Sequence, residues 1–314
     1  VVSKGLATPG LKGKLFKLSM QGLEEFVDAK ERGRAGGGWK LAIGQKLVFP
    51  KIGAQMNQMF GGRMRLFISG GAPLATKIAW FFRMVGFEIC EGYGLTESSA
   101  GTFVNRPGKV KIGTVGPPMP GTQVKIAPDG EVLIKGPGVM KGYYRNPEAT
   151  AEALKDGWLY TGDIGEVDSE NYLKITDRKK DIIVTAGGKN VAPQNLENDL
   201  KTSPLVSQVM VHGDKRKFLS ALITLNEENV TKWVQESGLK LSGPAHSDPR
   251  VRARVQEAVD ALNAKQASYS QIKKFAILPK DFTQESGELT PTLKVKRKFC
   301  SQKYKDVLDA FYAE

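Results

Sequence analysis

The stretch RMRLFISGGAPLATKIAWFFRMVGFEICEGYGLTES, residues 63–98, decides the fold. Residues 63–69 have the apolar density of a short buried strand, which ends on Gly70 and Gly71. Residues 73–85 read as a helix with Pro73 in its first turn, where a missing N–H costs nothing. Phe87 to Cys90 reads as a second strand that runs into a Gly-rich turn, Glu91 to Ser98. Strand, helix and strand within about 30 residues make a βαβ unit. Ligands of such sheets bind at the carboxyl ends of the strands, and both Gly-rich turns fall there.

Outward from this unit the pattern changes twice. Upstream, residues 14–33 read as a helix, with Phe16, Met20, Leu23, Phe26 and Val27 at helical spacing. Arg34 to Gly38 breaks it, and residues 40–60 are helical again with Pro50 interrupting. Downstream, from about 103 to 175, short strands take over. Val124–Ile126 and Val132–Ile134 flank the turn Ala127-Pro128-Asp129-Gly130, as expected of a small β-barrel or curled sheet. The charged run Asp177 to Asp181 reads as a domain boundary. Beyond it, strands at 182–184, 209–211, 217–225 and 275–279 alternate with helices at 193–200, 248–265 and 294–311, an α+β pattern. The expectation is an α/β, multi-domain chain: the last part of a large α/β domain over 1–102, a β-barrel-like subdomain over 103–179 and an α+β domain over 180–314.

Composition narrows the function classes. The chain has 314 residues and a formal net charge of +13, which favours anionic partners such as nucleic acid, acidic lipid or a phosphorylated small molecule. Two cysteines, Cys90 and Cys300, exclude a disulfide framework and a multi-cysteine zinc module, and fit a reduced, cytoplasmic protein. Two histidines argue against a histidine metal site. No apolar run is long enough to span a membrane, and the first 20 residues lack a signal-peptide core. No RNA-binding strand, zinc module or helix-turn-helix signature is present, so the expectation is no nucleic acid partner.

Five segments carry candidate chemistry, each with a plainer alternative. Ser69-Gly70-Gly71-Ala72-Pro73 lets a flat ligand edge approach the main chain; it also suits a simple tight turn. Glu91-Gly92-Tyr93-Gly94-Leu95-Thr96-Glu97-Ser98 combines a ring, two glycines, a hydroxyl and a carboxylate. Tyr93 can stack on a purine and Thr96 can donate to a phosphate oxygen. Glu97 can hold Mg²⁺, which takes few carboxylates and draws its other ligands from phosphates. The plainer reading is a helix cap at Thr96 or Ser98. In Tyr160-Thr161-Gly162-Asp163 the carboxylate can accept both hydroxyls of a ribose. Arg178, in Asp177-Arg178-Lys179-Lys180-Asp181, offers a fork of donors to hydroxyl or phosphate oxygens; a solvated linker is the alternative. Leu289 to Lys298 is a basic helix start that either faces water or delivers one lysine to a negatively charged site.

In this order the segments SGGAPL, EGYGLTES, LYTGD, DRKKDIIVTAGGKNVAPQNLE and LTPTLKVKRK resemble the adenylate-forming superfamily, most closely its long-chain fatty acyl-CoA synthetases. The resemblance covers residues 30 to 314. It implies a ligase that uses ATP, Mg²⁺ and coenzyme A: a fatty acid carboxylate attacks the α-phosphate of MgATP, pyrophosphate leaves, and the thiol of coenzyme A then displaces AMP. It also implies that Gly70, Gly71 and Ala72 line the adenine, that Tyr93 and Gly94 lie beside it, and that Thr96 contacts the α-phosphate while Glu97 binds Mg²⁺. Asp163, helped by Arg178, then holds the ribose. Lys294 is the mobile lysine of adenylation, Lys180 the hinge of a rotating lid domain, and Gly187 and Gly188 line the pantetheine channel. The positive charge suits polyanionic ligands, and a fatty acid delivered from a membrane is compatible with weak peripheral contact there.

One family part is absent: the Ser/Thr/Gly-rich loop ending in Pro-Lys-Gly that grips the β- and γ-phosphates. Together with a start at Val1 in place of Met, this predicts a C-terminal half, inactive alone, whose first sheet exposes an edge. Two alternatives remain beside the coenzyme A reading: an acyl-AMP ligase loading a carrier protein, and a catalytically silent nucleotide-binding fragment.

Overall fold

A computed structural model describes Gly5 and residues 8–313. Val1, on which the expectation of a trimmed start rests, lies outside the described residues. The chain divides between Thr176 and Asp177 into two compact units. Among the described residues no helix is long and apolar enough to cross a membrane.

The first unit opens with α1 (Gly10–Glu31), whose Phe16, Met20, Leu23, Phe26 and Val27 form the buried stripe expected from their spacing. The 40–60 region is less regular than expected. It forms α2 (Trp39–Ile43), a π-helical turn (Gly44–Val48) and α3 (Phe49–Met59). Pro50 begins α3 and does not interrupt it, because its missing N–H falls in the first turn. Gly44 leaves room for the Phe49 ring, which a Cβ there would meet at 2.6 Å.

The βαβ unit follows as β1 (Leu66–Ser69), α4 (Thr76–Met84) and β2 (Glu88–Tyr93), with β1 and β2 parallel. Two local expectations change. Pro73 lies three residues before α4 and belongs to the turn. Strand β1 is half-buried, not buried: it is an outer strand of a three-stranded sheet, and Ile68 is 76% exposed. A single neighbouring strand covers one side only, so the apolar run that reads as core leaves a bare edge. On its other side β2 pairs antiparallel with β3 (Phe103–Val104).

A curled five-stranded sheet completes the unit. β4 (Gln123–Ile126) and β5 (Glu131–Lys135) form the expected hairpin, turned at Gly130 with φ +86°. After α5 (Pro147–Ala153) and β6 (Leu154–Lys155), the long β7 (Trp158–Val167) pairs with β5, β6 and β8 (Leu173–Arg178). Its core gathers Phe103, Val115, Val132, Ile134 and Leu173.

The second unit starts with the hairpin β9 (Ile183–Val184) and β10 (Asn190–Val191), then α6 (Pro193–Leu200). Its main sheet has the order β11 (Val206–His212), β12 (Leu219–Leu225), β13 (Ile272–Ile277), with α7 (Glu227–Glu236) and α8 (Pro249–Asn263) between β12 and β13. Every residue of β12 is buried. Alternation sends Leu219, Ala221 and Ile223 into one cluster with α6 and α8, and Leu222 into another with Phe282, Leu289, Cys300 and Leu308. The single helix expected over 294–311 is two short ones, α9 (Arg297–Lys303) and α10 (Lys305–Ala310), parted at Tyr304. Lys294 therefore precedes the helix and lies on a loop.

Ile223 is fully buried at the centre of this sheet. We expect Ile223→Ala to destabilise the second unit by about 2–5 kcal/mol, read from the denaturant midpoint of unfolding.

Candidate functional site

Three of the five segments converge in the first unit. Gly70 follows β1, and a Cβ there would meet the Gly92 carbonyl oxygen at 3.2 Å, so this turn lies against β2. The Leu74 N–H donates to Glu91 Oε1 at 3.1 Å, a second tie between the same two segments. Gly71 has φ +80° and open space where a side chain would stand. The flat main-chain strip at Gly70, Gly71 and Ala72 is thus accessible, and Ala72 is exposed. Tyr93, at the end of β2, donates from its hydroxyl to Asp163 Oδ2 of β7 at 2.6 Å, across 70 residues of sequence. Asp163 is buried, and its neighbour Thr161 spends its hydroxyl on the Val132 carbonyl.

The turn after β2 is specified by contact. A Cβ on Gly94 would stand 1.4 Å from the Ala100 carbonyl oxygen, so only glycine fits. Thr96, Glu97 and Ser98 form one 3₁₀ turn. Ser98 caps it, with Oγ accepting from the Leu95 N–H at 3.0 Å and from the Thr102 hydroxyl at 2.7 Å. The capping alternative therefore belongs to Ser98, while Thr96 is exposed. Glu97 is held by a neighbour that its motif does not contain: Tyr143 donates to Oε1 at 2.8 Å, and the Met140 N–H donates to the Glu97 carbonyl at 2.8 Å. The hydrogen bond to the Glu97 carboxylate, and after it burial, raise the Tyr143 phenol. Among the described residues no three or more His, Cys, Asp and Glu side chains cluster as a metal site. Glu97 is half-buried. A single carboxylate of this kind fits Mg²⁺ that takes its remaining ligands from phosphate oxygens and water.

The other two segments lie on separate elements. Arg178 ends β8, its N–H donating to Asp177 Oδ1 at 2.6 Å, and Lys180 lies in the turn that follows. Asp177 Oδ2 is buried without a hydrogen-bond partner among the described residues, and burial raises this carboxyl to about 6. Gly187 and Gly188 form the turn of the β9–β10 hairpin. Gly188 has φ +71°, and a Cβ on it would meet nothing within 4 Å. A Cβ on Gly187 would touch Thr185 Oγ1 at 4.0 Å and nothing nearer. Lys294 sits in a tight loop closed by the antiparallel bridge Leu289–Val295.

Glu91 and Tyr143 take part in these arrangements, and the motifs assign a role to neither. Glu91 stands inside the octamer of residues 91–98, and Tyr143 in an aromatic Gly-Tyr-Tyr run; either signal points to its residue. Glu91 is the most perturbed carboxyl of the first site, raised to about 7 by burial against the opposing pull of the Leu74 N–H. Cys90 and Cys300 are both buried, and burial raises both thiols, Cys300 to about 11, so neither is a ready nucleophile.

Two family profiles match the chain: AMP-binding enzyme over residues 27–144, and AMP-binding enzyme C-terminal domain over 180–314. A long-chain-fatty-acid–CoA ligase FadD15 of Mycobacterium tuberculosis is 44% identical over 306 residues, covering 96% of this chain and 50% of the relative. The human long-chain-fatty-acid–CoA ligase 1 is 35% identical over 289 residues, covering 87% of this chain and 41% of the relative. The chain thus spans about half the length of the curated relatives it matches. Among solved structures, the adenylation domain of a Mycobacterium chelonae carboxylate reductase superposes with a TM-score of 0.69 at 25% identity, covering 95% of this chain and 45% of that one. An O-succinylbenzoate coenzyme A synthetase from Bacillus subtilis, in complex with ATP and magnesium, gives 0.58 at 25% identity, covering 78% and 49%.

The raised Glu91 has a definite pH signature. An acid raised in the folded state binds its proton more tightly there than in the unfolded chain. Its stabilising contribution is complete below the unfolded value near 4.5 and is lost as pH rises through about 7. Glu91→Gln keeps an oxygen for the Leu74 N–H and removes the titration. We expect the variant to match the parent near pH 5 and to exceed its stability by roughly 1–3 kcal/mol at pH 8, in thermal unfolding across pH 5–8.

Proposed function

The chain belongs to the AMP-binding enzymes, and on that premise we propose that it serves long-chain fatty acid activation: ATP-dependent acyl-adenylate formation, then thioester transfer to coenzyme A. The observation that carries this reading is the Tyr93–Asp163 hydrogen bond at 2.6 Å. It joins two segments far apart in sequence beside the accessible Gly70–Ala72 strip, as one nucleoside site requires. The 44% identity to a long-chain-fatty-acid–CoA ligase supports the fatty acid as substrate.

In this reading the adenine edge lies along Gly70, Gly71 and Ala72, where missing side chains allow close approach, with Tyr93 and Gly94 beside it. Asp163 accepts from the ribose hydroxyls, and Arg178 assists. The exposed Thr96 hydroxyl donates to the α-phosphate. Glu97, oriented by Tyr143, holds Mg²⁺, which supplies charge stabilisation at the phosphates when bound. Lys294 contributes a positioned cation as the fatty acid carboxylate attacks the α-phosphorus and pyrophosphate leaves. Charge that gathers in this transition state is stabilised by Coulomb attraction in a partly dehydrated site. In the second step the coenzyme A thiol attacks the acyl carbonyl and AMP leaves. Gly187 and Gly188 leave space for the pantetheine arm, and Lys180 is the pivot between the two steps.

ATP–pyrophosphate exchange with Mg²⁺ and a panel of fatty acids tests the first step, and thioester formation from supplied acyl-adenylate tests the second. Lys294→Ala should lower exchange at least about a hundredfold and leave the second step within about threefold. Equal loss in both would remove the role. Asp163→Ala should raise the KM for ATP at least about tenfold, and Mg²⁺ dependence should be lost in Glu97→Gln. A carrier-protein thiol preferred over free coenzyme A in the second step would replace the acceptor in this reading.

A further inference from the structure

We infer that Glu288 is a positioning residue for Lys294: it grips both strands of the loop that presents the lysine, and so fixes where the ammonium stands. The inference rests on the reading of Lys294 as the adenylation cation, but its geometry stands by itself. Lys294 lies in a polar tip, Thr290-Pro291-Thr292-Leu293-Lys294, that buries almost nothing, and Leu293 is 60% exposed with φ +59°. The tip is held by its own hydrogen bonds: Thr290 N–H to the Lys294 carbonyl at 2.8 Å, Leu293 N–H to the Thr290 carbonyl at 2.8 Å, and Lys294 N–H to Thr290 Oγ1 at 3.0 Å. Those bonds give the tip a shape. They lie within the tip, and the base of the loop joins it to the rest of the unit through the Leu289–Val295 bridge.

Glu288 stands at that base and is 1% exposed. Its Oε1 accepts from Lys303 Nζ at 2.5 Å and from the Tyr304 hydroxyl at 2.8 Å, and its Oε2 accepts from the Ser286 hydroxyl. Its main-chain carbonyl accepts from the Lys296 N–H at 2.7 Å, on the returning strand, and from Cys300 Sγ at 3.8 Å. One residue therefore ties the outgoing strand, the returning strand and the α9–α10 junction together. Burial alone would raise its carboxyl; the bonds from Lys303, Ser286 and Tyr304 outweigh it and lower the group to about 2, so the anchor stays charged at working pH. Beyond the tip, Arg297 holds the chain to a second buried acid, with Nη2 at 2.6 Å from Glu197 Oε2. A buried carboxylate needs such partners, and both acids of this region find a basic one in the segment that follows Lys294, Glu288 in Lys303 and Glu197 in Arg297. An electrostatic catalyst loses its effect when its charge is misplaced by about an ångström, which is the function a stiff base serves.

The test is amide hydrogen exchange on the whole chain. In Glu288→Gln, which keeps an oxygen for Tyr304 and loses the charge facing Lys303, exchange at Thr290, Leu293, Lys294 and Lys296 should quicken at least about tenfold, with β11–β13 unchanged. Tyr304→Phe, which removes one bond, should give a smaller increase at the same four amides; it also decides the matter if Glu288→Gln does not fold. Unchanged exchange at the four amides overturns the inference, and so does equal quickening through β12, since Glu288 would then serve the core as a whole. Where the parent chain catalyses both half-reactions, Glu288→Gln should lower pyrophosphate exchange at least about tenfold and leave thioester formation within about twofold; equal loss overturns the positioning role. Loss of the adenylation reading would show as Lys294→Ala matching the parent, an outcome independent of the four amides.

Discussion

The bond between Tyr93 and Asp163 is the interaction on which the first unit's site depends. A buried carboxylate without a partner is costly, and this one meets a phenol from a different sheet. The bond fixes the end of β2 against β7, while the parallel pairing of β1 with β2 sets the Gly-rich turn after β2 beside the turn after β1. Around it main chain is also brought close: Gly70 against Gly92, and Gly94 with no room for a single extra carbon. Backbone approach of this kind leaves amides, carbonyls and short side chains facing one place, which suits a nucleotide better than a hydrophobic ligand.

The second unit solves a different problem. Its central strand β12 is buried from end to end, which makes a rigid platform. The lysine it carries stands on a small polar loop that contributes nothing to the core. Rigidity reaches that loop through buried acids, Glu288 before it and Glu197 on Arg297 after it, each with a basic partner on the same unit. The bonds to Glu288 outweigh its burial and keep it charged, whereas burial prevails at Glu91, Asp177 and Glu197 and raises all three carboxyls.

Much was legible from residue pattern, and the departures share one cause. The stripe of α1, the hairpin at Ala127–Gly130 and helix α6 follow local spacing and turn chemistry, which a short window contains. Strand β1 looks like core because apolar density says nothing of how many strands flank it, and Ile68 is exposed. The helix expected at Lys294 breaks into loop and two short helices because Glu288 and Tyr304 draw the chain inward across 16 residues. Pro50 and Pro73 are visible as punctuation, but only packing shows which begins a helix and which belongs to a turn.

Residue order alone carries the succession of elements, the five segments with their residue types, and the family they belong to, because glycines, turns and apolar periods act over a few residues. Folding in three dimensions decides that Tyr93 meets Asp163, that Tyr143 orients Glu97, that Glu91 is raised to about 7 and that Glu288 braces the Lys294 loop. Each of these is a burial or a contact between residues distant in sequence, 16 positions for Glu288 and Tyr304 and 70 for Tyr93 and Asp163. No short window of sequence holds both partners, so such contacts exist only once the chain has packed.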